Sequence, residues 1–571
     1  MKTRVLGAVV ALAAMAASPL AAAAAQKPPA AAPASAPAGE HSSRAPQPPT
    51  TLPRPAKGAR ALESGAPWIV AARPGAATAA IAAGASVAPL APEIGLYTAP
   101  EGAAAGFVSR LRAAGLFLYA EPDVPTRTDA LPADPLTPQQ WWIGQLINPL
   151  LVPPAVSPTP TLGIVEAGVD TTHPDLNGGN VTTAGPIVAA DLHGTAVTSV
   201  ASAPANGVGI VGLWPGAQTR VYGSQGNCAG GAAAVTAAAI DRVKVINMSY
   251  GVDVSCFSHY LATQFAFGLG SVLVAAAGND FALGSPARSP AVDPHVLTVG
   301  AVGSDLSPAP FTNAGDGLDL AGPGVAVPAA VPVSQDTDGT PDGYQSLDGT
   351  SFASPIVAAA AAWLRVVRPE LTAPQTNALL NRTARDLGAT GWDNRTGWGL
   401  VDLGAALTAS APFNDPGEPN DDIEWIDGRH FRKDPALLRT RRAFTFPATL
   451  DFIEDPEDVV AVWMPRGTRL RVDAVPVGRD DVSLEVFSRK ARTVFSRTRP
   501  KSLEAWSFHA GPRRETVFVT NRGPAQVVYV ETFVPRTARF SNAVYRLILN
   551  RAKLPAGAPC GPVASNRGCL P

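Results

Sequence analysis

Leu162-Gly-Ile-Val-Glu166-Ala-Gly168-Val-Asp170-Thr-Thr-His173-Pro-Asp175-Leu176 decides the fold. It opens with a short apolar run, Leu162–Val165, closed by one carboxylate. Glycine, aspartates and a proline then stop it. A strand without polar alternation is one buried on both faces, as in a parallel sheet. Working outward, similar runs recur at Thr219–Tyr222, Val243–Met248, Ser271–Ala276 and His295–Val299. Ala-rich stretches of helical character lie between them, at Thr195–Ala203, Ala232–Arg242 and Ser258–Gly268. The alternation predicts βαβ units and an α/β domain with a mostly parallel sheet over about 160–409. Active sites of such sheets gather at the carboxyl ends of the strands, where Glu166 stands.

Three further segments carry chemistry: Asp191-Leu-His193-Gly194-Thr195, Val272–Asp280 (VLVAAAGND) and Gly349-Thr350-Ser351-Phe-Ala353-Ser354-Pro355. Ser351 precedes an Ala-rich helical run, which places its hydroxyl at a helix N-terminus where the dipole favours developing negative charge. A serine hydroxyl is a weak nucleophile until a base takes its proton. An asparagine amide such as that of Asn279 can donate to an oxyanion. Taken singly, each residue also reads as a helix cap, a turn or a loop residue.

Taken together and in this order, the four segments resemble the subtilase family of serine peptidases. Asn247-Met-Ser249-Tyr250-Gly251 and Gly397-Trp-Gly399-Leu-Val-Asp402 extend the resemblance. It implies a subtilisin-like three-layer domain with Ser351 as nucleophile, His193 as base and Asn279 as oxyanion donor. Ser249, Tyr250 and Gly251 would pair with substrate backbone. Ala275, Ala276 and Gly278 would line the primary specificity pocket, and their small uncharged side chains imply an apolar or mixed residue before the cut. Polypeptides would be the substrates, and no cofactor is needed for the chemistry.

One position departs from the family. Where it carries aspartate, this chain has Glu166. Asp170 falls on a different family position, and the family does not use that of Asp191 catalytically. The triad acid fixes the histidine tautomer and stabilises the imidazolium. Glutamate brings the same charge on a stem one methylene longer. Two expectations follow: a backbone that accommodates Glu166 in a working peptidase, or a catalytically impaired relative acting as a binding or adhesion module.

The rest of the 571 residues organises around this domain. Residues 1–25 have a basic start, a 13-residue apolar stretch and an Ala-rich close, as a secretory signal peptide does. That predicts export without a membrane anchor. Residues 26–59 are a Pro/Ala-rich linker. Residues 60–127 read as a small α+β unit. Its Tyr119-Ala-Glu-Pro-Asp ending resembles the pro-region of secreted subtilases, which implies a transient inhibitor removed by cleavage between 123 and 140. The catalytic domain is assigned to 128–411. Residues 412–552 show β-type alternation and predict a β-sandwich. Asp415-Pro-Gly-Glu418-Pro-Asn420-Asp and Asp455-Pro-Glu-Asp458 there resemble bacterial pre-peptidase carboxy-terminal domains. Residues 553–571 form a Cys-bearing tail.

Net charge −1 with 16% charged residues gives no footprint for nucleic acid, and a monomer is expected. Arg489–Lys501, with six basic residues in thirteen, reads as a solvated hairpin or a polyanion site. The four cysteines of an exported chain predict disulfides, with sequence proximity favouring Cys228–Cys256 and Cys560–Cys569. Asp336, Asp338 and Asp342, set among glycines, read as a structural calcium loop or a solvated acidic turn.

Overall fold

The computed structural model describes residues 68–122, 134–146, 153–154, 161–252, 256–415, 417–431, 433–451, 453, 455–494, 502–535, 543–555 and 567–570. The expected signal peptide, the linker, residues 123–133 of the processing segment, Cys560 and residues 495–501 lie outside the described residues. The chain divides into two compact units, 1–127 and 128–571.

In the first unit, Trp68–Ala72 pairs antiparallel with Leu96–Ala99 on one side and Phe117–Pro122 on the other. Ala88–Ala91 completes a four-stranded sheet. Helix Glu101–Ala113 buries Phe107 and Leu111 against Val70, Tyr97 and Ala120. This is the expected α+β arrangement, with one more helix, Ala76–Ala83, than the sequence had shown.

The second unit is built on a seven-stranded sheet. In chain order its strands are β1 Leu162–Glu166, β2 Val181–Ala184, β3 Thr219–Gly223, β4 Val245–Met248, β5 Val272–Ala276, β6 Val296–Val302 and β7 Leu320–Pro323. They lie in the order β7-β6-β5-β4-β1-β3-β2, and every pairing is parallel. The chain runs from β1 out to one edge and later from β4 to the other, so β1 is where the order reverses. Helices α1 Leu192–Ser202, α2 Cys228–Ile240, α3 Phe257–Gly268 and α4 Thr350–Val367 cover the sheet. Helix α4 is buried from Phe352 to Arg365, and within Thr350–Arg365 only Ser351 is not buried. Its alanines are small because the helix lies against β4 to β7. Gln140 clasps Val211 with both ends of its amide, and Trp142 is fully buried, which ties the segment before β1 to the domain. Cys228 and Cys256 form a disulfide joining the starts of α2 and α3, with Cα atoms 6.2 Å apart.

Beyond Pro412 two sheets face each other around Leu470, Val472, Val486, Val530 and Tyr545. One has five strands and the other four. The pairing is antiparallel except at Arg567–Leu570, which adds parallel to Glu515–Asn521. The segment leading into this sandwich docks on α3. Trp425 meets Tyr260 with ring centroids 5.5 Å apart, and Phe431 stacks on Phe265 at 6.0 Å.

Candidate active site

Glu166 is the last residue of β1, at the point where the strand order reverses. His193 is the second residue of α1, whose cap Asp191 accepts the Gly194 N–H at 2.8 Å. These two elements meet closely because residue 194 is glycine. A Cβ there would lie 1.9 Å from the Gly168 carbonyl oxygen and 3.1 Å from the Glu166 Cβ. The approach brings Glu166 Oε2 to 3.0 Å from His193 Nδ1. Asp170 instead receives Thr172, and Asp191 is spent on its cap. Glu166 is thus the acid that the backbone delivers to this histidine.

Burial of the pair is unequal: the Glu166 side chain is 5% exposed and that of His193 40%. Burial pushes the Glu166 carboxyl above its ordinary 4.5, although His193 pulls it down. For His193, burial works to lower its pKa, but the charge and hydrogen bond of Glu166 outweigh it and hold the ring above 6.5. Glu166 Oε1 is buried with no hydrogen-bond partner among the described residues.

Ser351 sits in the first turn of α4, beside Phe352, whose ring centroid is 6.0 Å from that of His193. Its hydroxyl donates to the Ser249 carbonyl at 3.2 Å rather than to His193. Ser249 returns a hydrogen bond to the Ser351 carbonyl at 2.8 Å. Asn247 supports both by donating to Ser249 Oγ at 2.9 Å and accepting from Ser354 at 2.6 Å. Asn279 Oδ1 accepts from the Thr350 N–H and hydroxyl, each at 2.9 Å. That fixes the amide so its Nδ2 hydrogens face away from the bond it already makes.

Ser249-Tyr250-Gly251 leaves the end of β4, and Ala275–Gly278 the end of β5. Both are anchored to the Ser351 turn, the first through Ser249 and the second by the Gly278 N–H donating to Thr350 Oγ1 at 3.1 Å. Tyr250 Oη lies 2.7 Å from His259 Nε2. Gly278 has φ +100°, and a Cβ there would lie 2.5 Å from Asn313 Nδ2. Residue 278 must therefore be glycine for both reasons. Arg288, which carried no motif in the sequence, lies against both segments.

Residues 158–399 match the subtilase family. Subtilisin DY from Bacillus licheniformis is 34% identical over 256 residues, covering 43% of this chain and 89% of its own. The chain belongs to the subtilase family. Fervidolysin from Fervidobacterium pennivorans is 32% identical over 289 residues, which are 44% of this subtilase and 41% of the relative. Subtilisin E from Bacillus subtilis is 33% identical over 260 residues, 43% of this chain and 65% of its own. The match therefore spans less than two thirds of the length of these last two relatives.

Asp336, Asp338 and Asp342 accept backbone N–H groups of their own loop: Asp336 those of Asp338 and Gly343, Asp338 that of Thr340 and Asp342 that of Tyr344. A denser acidic set lies where the sandwich meets the α/β domain. His295, Glu418 and Asp421 bring ligand atoms within 4.8 Å of one another, and so do Asp415, Glu418 and Asp455. His295, Asp415, Glu418 and Asp455 line part of a cavity of about 430 Å³. Asp415 Oδ1, Asp421 Oδ1 and Asp455 Oδ1 are buried without a hydrogen-bond partner among the described residues. Burial and mutual repulsion push Glu418, Asp455 and Asp458 well above the carboxylate range. Orphaned carboxylate oxygens crowded in low dielectric are the donor set a hard divalent cation takes. The sequence marks Asp415–Asp421 and Asp455–Asp458 only through a family resemblance, which does not announce their meeting with His295.

Proposed function

We propose that this subtilase is a secreted serine endopeptidase working through Ser351, His193 and Glu166. The observation that carries it is the 3.0 Å contact between buried Glu166 and His193 beside the Ser351 turn. Ser351 Oγ turns from the Ser249 carbonyl to His193 Nε2, gives up its proton there and attacks the peptide carbonyl carbon. Glu166 holds the Nδ1–H tautomer and balances the imidazolium charge. The oxyanion receives the Asn279 amide and the Ser351 N–H, which belongs to a first helical turn without an intrahelical acceptor. His193 returns the proton to the leaving amine, and water then hydrolyses the acyl-enzyme by the same route. The test is turnover of an unfolded polypeptide by the processed protein, blocked by one equivalent of a fluorophosphonate. Turnover that survives stoichiometric labelling contradicts it. An adhesion module would keep its binding after such labelling and show no turnover before it.

Residues 1–25 direct export, the pro-region 60–127 restrains the enzyme until cleavage, and the 412–552 sandwich is an accessory domain. The same proposal includes the chain acting as a monomer.

The pH profile follows from the raised His193 pKa. The base must be neutral, so kcat/KM rises with pH through a midpoint above 6.5 that belongs to the Glu166–His193 pair. Replacing Glu166 by Gln removes the attraction and leaves the burial, so the midpoint moves down. A profile with the same midpoint in both proteins contradicts the coupling.

A structural calcium would be held here by Asp415, Glu418 and Asp455, or by Glu418, Asp421 and His295. A divalent cation would neutralise carboxylates that otherwise repel one another. Chelation is expected to lower the melting temperature by several degrees, an effect that calcium reverses. In Asp455→Asn the chelator effect shrinks. An unchanged melting temperature in chelator removes the cation from this site.

A further inference from the structure

His259 is a fully buried histidine that no step of the proposed reaction uses. It stands in the first turn of α3, and its Nε2 lies 2.7 Å from the hydroxyl of half-buried Tyr250. The two rings meet edge to face with centroids 5.5 Å apart. Burial pushes the His259 ring down to about 4. Burial, with the Glu166 and Asp293 charges, pushes the Tyr250 hydroxyl well above 10. Both groups are therefore neutral at ordinary pH. An imidazole nitrogen accepts better than a phenol oxygen, so the hydroxyl donates to Nε2 and the ring proton sits on Nδ1. Nδ1 is buried with no hydrogen-bond partner among the described residues. An orphaned buried donor lowers stability, so packing alone would favour an apolar side chain at 259. Backbone also closes on the pair. A Cβ on Gly231 would lie 2.6 Å from Nε2 and 2.9 Å from Tyr250 Oη, so α2 comes this near only because residue 231 is glycine. The Cys228–Cys256 disulfide joins the starts of the two helices that carry Gly231 and His259.

We propose that His259 is a positioning residue that sets the affinity of this peptidase for extended substrates, by holding Tyr250 and with it the backbone that pairs with substrate upstream of the cut. This rests on the peptidase function proposed above. Tyr250 is the middle of Ser249-Tyr250-Gly251, and the chain on either side is held by other bonds. Ser249 is tied to Asn247 and to the Ser351 carbonyl, and the Val252 N–H donates to the Ser289 carbonyl at 2.9 Å. Neither set reaches residue 250 itself. A strand that recruits an extended peptide binds through its main-chain N–H and C=O groups, and a substrate that must first order that strand loses affinity to the ordering. The Tyr250–His259 bond is a third anchor, made from inside the domain. It uses side chains alone and spends no backbone group of the strand. It touches none of the reacting atoms, so its effect belongs to binding and not to the chemical step.

The experiment compares two substrates with the same residue before the cut: a peptide with four residues upstream of the scissile bond, and an acetylated single-residue ester that makes no further upstream pairing. Enzyme concentration is set by fluorophosphonate titration. His259→Phe keeps a ring and removes the acceptor. It should raise KM for the peptide about tenfold, as loss of one hydrogen bond does, with kcat and the ester's KM within about twofold of wild type. The melting temperature should hold or rise. Tyr250→Phe should raise the peptide's KM as far, and the double variant no further than either change alone. His259→Gln offers a carbonyl acceptor in place of Nε2 and should bring KM back to within about threefold of wild type. An unchanged peptide KM in His259→Phe, an equal rise for the ester, or additive losses in the double variant overturns the proposal, while the titration leaves the peptidase standing. Where His259→Phe fails to fold, Tyr250→Phe and His259→Gln decide by the same readings: no rise in the first, or a tenfold rise in the second, overturns it. Absence of any fluorophosphonate label on the wild type overturns the peptidase reading and this one with it.

Discussion

Replacing Ser351 by Ala is expected to lower kcat by about a millionfold and to leave folding intact. The residue is the first-turn position of α4 that is not buried, so removing one oxygen opens no cavity in the helix's packing. The hydroxyl's present bond, to the Ser249 carbonyl, is a single neutral contact at a part-exposed site. Its loss costs about 1 kcal/mol, too little to unfold the domain. What disappears is the covalent route itself. His193 and Glu166 have no function without a nucleophile to deprotonate. Asn279 and the helix turn can still polarise a carbonyl, so a residue of activity over water remains. The measurement is peptide turnover beside a melting curve. Lost turnover with an unchanged melting temperature is the expected result, and turnover within tenfold of wild type contradicts the assignment.

The second large effect is at Glu166. Glu166→Gln should cost about ten-thousandfold in kcat, because an amide N–H offered to Nδ1 favours the tautomer whose Nε2 cannot accept the serine proton. Stability should not fall, since the change removes a buried charge whose Oε1 already lacks a partner. Glu166→Asp is the sharper test of accommodation. The present separation, with Gly194 pressed against the Gly168 carbonyl, suits the longer stem at 3.0 Å. Shortening it withdraws the carboxylate by more than an ångström, so the rate should fall by about a hundredfold. A faster Glu166→Asp enzyme would show that the backbone had kept the spacing suited to aspartate.

Some of this was legible in the sequence because local pattern and tertiary role coincide. The central strands β1, β4, β5 and β6 are buried at every position and apolar but for Glu166, Asn247 and Thr298, as two-sided burial favours. The strands that escaped in the large sheets are their edges: Val181–Ala184, Leu320–Pro323, Ala443–Leu450, Leu503–Ser507 and Arg567–Leu570. An edge strand tolerates polar residues and proline, such as Pro323 and Pro447, so its pattern is weak. The same contrast holds at the site. Glu166, His193, Asn279 and Ser351 stand at the ends of regular elements, where spacing predicts position. Arg288 comes against Gly251 and Gly278 from a turn next to the Val252–Ser289 bridge. Asp415 and Asp455 meet across 40 residues and a change of sheet, which no local pattern announces.

The rate of fluorophosphonate labelling at Ser351, compared between wild type and Glu166→Gln, tests the central claim most directly. It reads nucleophile, base and acid in one step without needing the natural substrate. A functioning triad predicts one label per chain, mapped to Ser351, with a rate that falls steeply in Glu166→Gln. No label on folded, processed protein, or equal rates in the two proteins, would contradict it.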